Sequence, residues 1–294
     1  MKQSEIQKKI VLGTAQLGMN YGIANIFGKP AKQDAFKILE FAWEKGVRRF
    51  DTAPGYGSSE KLLGEFIVAN GIQDDVIVLT KIPSLKKTSN FQICINNYLK
   101  SSLENLRCPI NILFFHDPLD SNLLSTESKF FENLLVENPV STLGISVYET
   151  SEIKKLQRSC YFDLAYQFPF NVIDRRFEDL NITSNKCFAR SVLLQGLLAS
   201  KNSLIQSSPK ELISIQKKYH SKLNKHQLDP VRFAISFVNL NDYIDYFLIG
   251  VDTKKHIEHL LDLDLYSKKD IAIIDSLRFK FNKYWLDPRN WSSK

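Results

Sequence analysis

The segment VRRFDTAPGYGSSEKLLGEFI, residues 47–67, joins a short strand to an amphipathic helix through a loop rich in Gly and Pro. Asp51 ends the strand, and Tyr56 sits in the loop five residues later. Ser58 or Ser59 can cap the helix, and Gly71 lies just past its end. The same order recurs downstream. DVIVLTK (75–81) precedes the helical stretch NFQICINNYLKSSLENL (90–106), and INILFFH (110–116) precedes STESKFFENLLVENP (125–139). VSTLGIS (140–146) precedes TSEIKKLQRS (150–159). Upstream, KIVLGTA (9–15) leads to AKQDAFKILEFAWEKG (31–46), where Ala35, Ile38, Leu39 and Ala42 share one helix face.

The second half continues the rhythm less evenly. YFDLAYQF (161–168) reads as a strand, DRRFEDL (174–180) as a short helix and CFARSVLL (187–194) as a strand. Two helices follow, PKELISIQKKYHSKL (209–223) and DPVRFAISFVNLN (229–241), the second with Pro230 in its first turn. DYFLIGV (245–251) is the last strand and KKHIEHLLDL (254–263) its helix. About eight strand–helix units predict an α/β fold in which a parallel sheet closes into a (β/α)8 barrel. Residues 1–294 form one such domain, with a C-terminal helix and an aromatic tail from about residue 267.

Composition narrows the function classes. Apolar residues make up 44% of 294, enough for a large core, and charged residues 24%. The net charge of +7 comes from scattered lysines with no basic run, so nucleic acid is not an expected partner. A modest positive field still suits an anionic cofactor or substrate. Cys94, Cys108, Cys160 and Cys187 are widely spaced and suggest neither a metal site nor a disulfide framework. The polar N-terminus MKQSEIQKKI leads straight into a strand without a signal peptide, and no stretch approaches the ~20 apolar residues of a membrane helix. A cytoplasmic setting away from membranes is the expectation; oligomeric state is not legible.

Asp51, Lys81 and His116 end the second, third and fourth strands, and Tyr56 follows the second closely. Strand C-termini of a β/α barrel emerge on one face, where active sites form. A tyrosine is a candidate general acid, and a lysine cation beside it would lower its pKa. Asp51 can hold Lys81, and His116 can donate to the same carbonyl oxygen. The sequence contains no G-x-S-x-G, H-E-x-x-H, Walker or G-x-G-x-x-G motif. What remains is proton delivery to a carbonyl without a metal, which points to hydride transfer from a nicotinamide.

On these residues the chain resembles the aldo-keto reductase family from VLGTAQLGMNYG to FLIGVDTKKHIEHL, most strongly in FDTAPGYGSSEKLLGEFI. The resemblance implies a barrel that reduces aldehydes or ketones, with Asp51, Tyr56, Lys81 and His116 as a catalytic tetrad. It places Gly13, Thr14 and Asp51 near the nicotinamide ribose, and Ser146 and Gln167 at its carboxamide. Ser191 to Leu197, including Leu193, Gln195 and Gly196, would run along the pyrophosphate. Gly250 to Lys255, with Thr253 and Lys254, would reach the adenosine 2′ position. Val147 stands where the family often has Asn, and Arg190 where an aromatic ring often stacks on the nicotinamide. That Arg could stack in its place or bind a phosphate. His256 and Leu260 replace the usual adenosine-gripping Arg and Asn.

NADPH is expected over NADH because Lys254 and Lys255 open the last helix, where cations and free N–H groups favour a phosphate. Asp252 counts against it, since it could accept from a 2′-hydroxyl. The expected partner is a small carbonyl compound, with a sugar-type carbonyl as one option. Tyr21, Phe27, Tyr148, Trp285 and Trp291 are candidate pocket walls by position. Two other readings stay open: a nicotinamide-binding sensor or regulatory protein with little turnover, and a barrel lyase using Lys81 as a Schiff base.

Overall fold

Each short apolar run becomes one parallel strand: β1 Ile10–Gly13, β2 Arg49–Asp51, β3 Ile77–Ile82, β4 Ile110–Phe115, β5 Val140–Ser146, β6 Ala165–Pro169, β7 Cys187–Arg190 and β8 Tyr246–Gly250. A computed structural model of the chain describes residues 5–86, 88, 90–179, 182, 186–200, 209–275 and 282–291. The strands pair in sequence order, and β8 pairs back to β1, which closes the sheet into a barrel.

Side chains alternate across a strand, so every second residue points into the barrel. Val11, Leu79, Ile112, Phe114, Ala165 and Phe188 form a small inner cluster, with Ile77, Tyr246 and Leu248 packed against it. Gly144 contributes space rather than bulk, because a Cβ there would lie 2.6 Å from the Phe114 ring. The larger core sits outside the barrel, under the helices.

Two residues beyond each inner side chain, the same parity reaches the top of the barrel. That step leads from Val11 to Gly13, Leu79 to Lys81, Phe114 to His116, and Gly144 to Ser146. It leads likewise from Ala165 to Gln167, Phe188 to Arg190, and Leu248 to Gly250, while Asp51 ends β2. Eight side-chain positions, one per strand, therefore converge on one mouth.

The helix Ser59–Asn70 ends at Gly71 in the left-handed conformation, as expected. Ser58 occupies its N-cap position without a side-chain capping bond. Gly64 brings this helix close to Phe91–Leu106, since a Cβ would sit 1.9 Å from the Asn105 carbonyl oxygen. Three local expectations are corrected. A short helix, Glu5–Lys9, precedes β1. Residues 174–179 form turns rather than a helix, because Asn171 Oδ1 captures the Ile173 and Asp174 N–H groups and Phe177 stacks on Phe168 at 4.5 Å. The strand predicted over 187–194 stops at Arg190, where Ser191 turns to φ 57°. Among the described residues no disulfide joins the four cysteines, and no helix is long and apolar enough to cross a membrane.

Candidate active site

At the base of the barrel mouth, Lys81 is 2% exposed and Asp51 3%, so each needs its partner. Lys81 Nζ donates to Asp51 Oδ1 at 2.7 Å and to the Thr52 carbonyl at 2.7 Å. The other carboxylate oxygen, Asp51 Oδ2, accepts from Gln167 Nε2 at 2.9 Å. Above them, Lys81 Nζ lies 4.9 Å from the centroid of the Tyr56 ring. Tyr56 and His116 face one another edge to face, 6.3 Å between centroids. The four residues predicted from the sequence thus meet in one cluster, with Gln167 joined to it.

The Tyr56 loop is fixed by a close approach of two backbones. Gly18 and Tyr56 pack so tightly that a Cβ on Gly18 would lie 2.0 Å from the Tyr56 carbonyl oxygen. Ser59 then bridges strands and loops: its Oγ lies 2.5 Å from Thr14 Oγ1 and 2.9 Å from Thr52 Oγ1. Thr14 also donates to the Asp51 carbonyl at 2.9 Å, so this side chain braces the tetrad from below. Buried Glu60 accepts from Thr80 Oγ1 at 2.6 Å, next to Lys81 in sequence. Much of the GSSEKLLG block is accordingly scaffold.

Electrostatics revise one expectation. Tyr56 is raised above the ordinary phenol range, first by burial and then by the Asp51 carboxylate, with Arg190 opposing. Lys81, paired with Asp51 at 2.7 Å, is not among the charges that shift it. The hydroxyl is therefore held protonated, as a proton donor must be. His116 is pushed down to about 4 by burial and by the nearby Lys81 and Arg190 charges. It is neutral at pH 7 and can donate one N–H without adding charge.

A pH effect on stability follows. Unfolded His116 titrates near ~6.5, whereas the folded group titrates at about 4. As pH falls, the unfolded chain takes up this proton first. The stabilisation is complete above roughly pH 6.5 and is lost progressively towards pH 4. Thermal unfolding scans of His116→Gln should show a shallower acid-side decline across that window than wild type. Parallel declines would mean that His116 is not depressed.

A cleft of ≈ 170 Å³ is lined by Tyr56, His116, Ser146, Gln167, Arg190 and the backbone at Gly13 and Gly250. It runs into a second cavity of ≈ 420 Å³ that reaches Asp252, His256 and His259, and both are lined by Gln16, Tyr21, Leu193, Gln195 and Gly196. Among the described residues, three of the five non-glycine residues with positive φ, Ser191, Leu194 and Gln195, lie in the loop between β7 and the next helix, where Gly196 has φ 85°. Backbone strained in this way gathers at ligand-binding loops, and neighbouring left-handed turns aim N–H groups at anions. At the far end Asp252 Oδ1 is buried with no partner among the described residues. A long groove with an anion-suited loop in the middle and an orphan acceptor at one end fits a dinucleotide.

The remaining predicted positions lie at that far end. Thr253 caps the helix Lys254–Leu261 through the His256 N–H, Lys254 Nζ turns to Glu258 at 3.6 Å and to the Phe41 ring, and Lys255 is exposed. None of the three lines the groove. Sequence reasoning missed Gln16, whose amide lies within 2.6 Å of where a Gly250 Cβ would be. It also missed Arg289. The tail reaches Tyr148: the Arg289 guanidinium carbon sits 3.3 Å from the Tyr148 ring centroid, and Arg190 sits 4.1 Å from the same ring. Trp291 Nε1 donates to the Trp285 carbonyl at 3.0 Å, and neither tryptophan lines the cleft or the cavity. No spacing rule in a short tail would have revealed that placement.

Comparison with known proteins agrees with this architecture. Residues 9–278 match the model of the Aldo/keto reductase family. A D-threo-aldose 1-dehydrogenase from a Pseudomonas species is 30% identical over 186 residues, covering 52% of this chain and 56% of that protein. An L-galactose dehydrogenase from Arabidopsis thaliana is 34% identical over 100 residues, 32% of this chain and 31% of that protein. The chain thus spans about half, or less, of the length of these curated relatives. The holo form of an aldo-keto reductase from Bacillus halodurans superposes with TM-score 0.72 at 18% identity, covering 92% of both chains, a likeness of fold.

Proposed function

The chain belongs to the aldo/keto reductase family, and from that premise we propose that it reduces an aldehyde or ketone to an alcohol with NADPH. The observation that supports this reading is the meeting of Tyr56 and His116 above the buried Lys81–Asp51 pair. A bound nicotinamide supplies hydride to the carbonyl carbon. Tyr56 donates its proton to the carbonyl oxygen as negative charge builds there, since an alkoxide is a stronger base than a phenolate. Neutral His116 donates an N–H to that oxygen and fixes its position. Lys81 and Asp51 hold the base of the cleft, and Gln167 ties the pair to the proposed carboxamide position beside Ser146. The names of the two curated relatives above favour a sugar-type carbonyl as substrate. Following the loss of NADPH absorbance across a panel of aldehydes and keto-sugars tests the reading. Turnover of none of them would leave a nicotinamide-binding protein without this activity.

For the cofactor, the groove residues Gly13, Ser146, Gln167, Ser191 to Gly196 and Gly250 would hold the dinucleotide. The preference for NADPH falls mainly to Lys255, which has no ion-pair partner among the described residues, whereas Lys254 is engaged by Glu258. A second reading, NADH, is favoured by the unpartnered Asp252 Oδ1. In fluorescence titrations at low salt, NADPH should bind more tightly than NADH. Lys255→Ala should erase more of that difference than Lys254→Ala, and added salt should shrink it. Tighter binding of NADH by wild type would give the adenosine end to Asp252.

A further inference from the structure

We infer that the carbonyl compound reduced at this site carries an oxyanion, a carboxylate or a phosphate, seated on Arg190 and Arg289 beside Tyr148. This rests on the reading of the site as a carbonyl reductase and specifies its substrate class.

Arg190 ends β7 in the inward row and lines the same cleft as Tyr56 and His116. Its Nη2 donates to the Val147 carbonyl at 3.1 Å, and its plane lies against Tyr148. No carboxylate pairs with it among the described residues, although it is only partly exposed. Arg289 reaches the same tyrosine from the C-terminal tail. Its Nε and Nη2 are held by Asp287, which leaves Nη1 without a partner among the described residues.

Most charges around the cleft are paired: Lys81 with Asp51, Arg289 with Asp287, Asp117 with Lys86, and Arg176 with both Asp174 and Glu149. Glu152 accepts from the Tyr148 and Glu149 N–H groups. Arg190 forms no ion pair with a carboxylate among the described residues. Burial is the first cause that keeps His116 neutral, and Lys81, Arg190 and Arg289 act in the same direction against Asp117.

Arg190 is anchored to the strand end of β5, at Val147 and Tyr148, whereas the groove proposed for the dinucleotide continues past β8 towards Asp252 and His256. Both guanidiniums lie against the Tyr148 ring. The partly buried planar fork of Arg190 matches a carboxylate or phosphate, and exposed Arg289 adds one nitrogen, Nη1, free among the described residues.

The test compares substrates that differ by one anion. With saturating NADPH, kcat/KM is measured for 4-carboxybenzaldehyde against benzaldehyde, and for glyceraldehyde 3-phosphate against glyceraldehyde. At least one anionic compound should exceed its neutral partner by about tenfold or more, the scale of one charge-assisted hydrogen bond. The successful pair distinguishes a carboxylate from a phosphate. Arg289→Gln and Arg289→Lys should both narrow that ratio, Lys less so because it keeps the charge and loses the fork. Neutral partners reduced as well as the anionic ones overturn the inference while leaving the carbonyl-reductase reading intact. Reduction of none of the four overturns both.

Discussion

Tyr56→Phe is expected to lower kcat for carbonyl reduction by ~10²–10⁴-fold while leaving the dissociation constant for NADPH nearly unchanged. The phenol ring makes the contacts that place the residue, edge to face with His116 and near Lys81 Nζ, and Phe retains that ring. Only the proton is lost, and it acts when charge has developed on the oxygen. The defect should therefore fall on kcat and kcat/KM together, with little change in ground-state binding. Stopped-flow measurement of hydride transfer in the first turnover isolates the step. A variant retaining more than about a tenth of wild-type kcat would remove Tyr56 from the role of acid.

Asp51→Asn is expected to destabilise the fold by ~3–5 kcal/mol, because it strands an ammonium that is almost wholly buried. In a chain of this size that corresponds to a fall in Tm of roughly 5–8 °C. The Thr52 carbonyl would still accept from Lys81 Nζ, but a neutral acceptor does not offset a buried charge. The double variant Asp51→Asn with Lys81→Met removes both charges and should recover much of the loss, which a double-mutant cycle quantifies. Calorimetry on the four proteins decides it. A single variant within about 2 °C of wild type would mean that the pair is worth no more than a surface ion pair.

The residues that carry the proposed chemistry were legible because two simple periodicities coincide. Alternation along each strand places Lys81 two residues beyond Leu79 and His116 two beyond Phe114, and barrel closure brings those ends to one mouth. Gly13, Ser146, Gln167, Arg190 and Gly250 follow by the same count. The Tyr56 loop was legible from its Gly content, but not the reason for it, which is contact between the Gly18 and Tyr56 backbones. The sign of the Tyr56 shift was not legible. It follows first from burial of the hydroxyl and then from the nearby Asp51 carboxylate, neither of which a strand pattern encodes. Arg289 escaped notice for a related reason. Its position depends on how a short, turn-rich tail folds over Tyr148, where neither helix nor strand periodicity applies.

The central claim is direct delivery of hydride from a nicotinamide to a carbonyl carbon at the Tyr56 cleft. NADPH carrying deuterium at the transferable C4 position, incubated with enzyme and a substrate aldehyde, tests it by mass spectrometry and NMR of the alcohol formed. The account predicts one deuterium on the carbinol carbon of each product molecule, with NADPH oxidised in equal amount. Product lacking deuterium, or labelled cofactor recovered unchanged beside unreacted aldehyde, would contradict it.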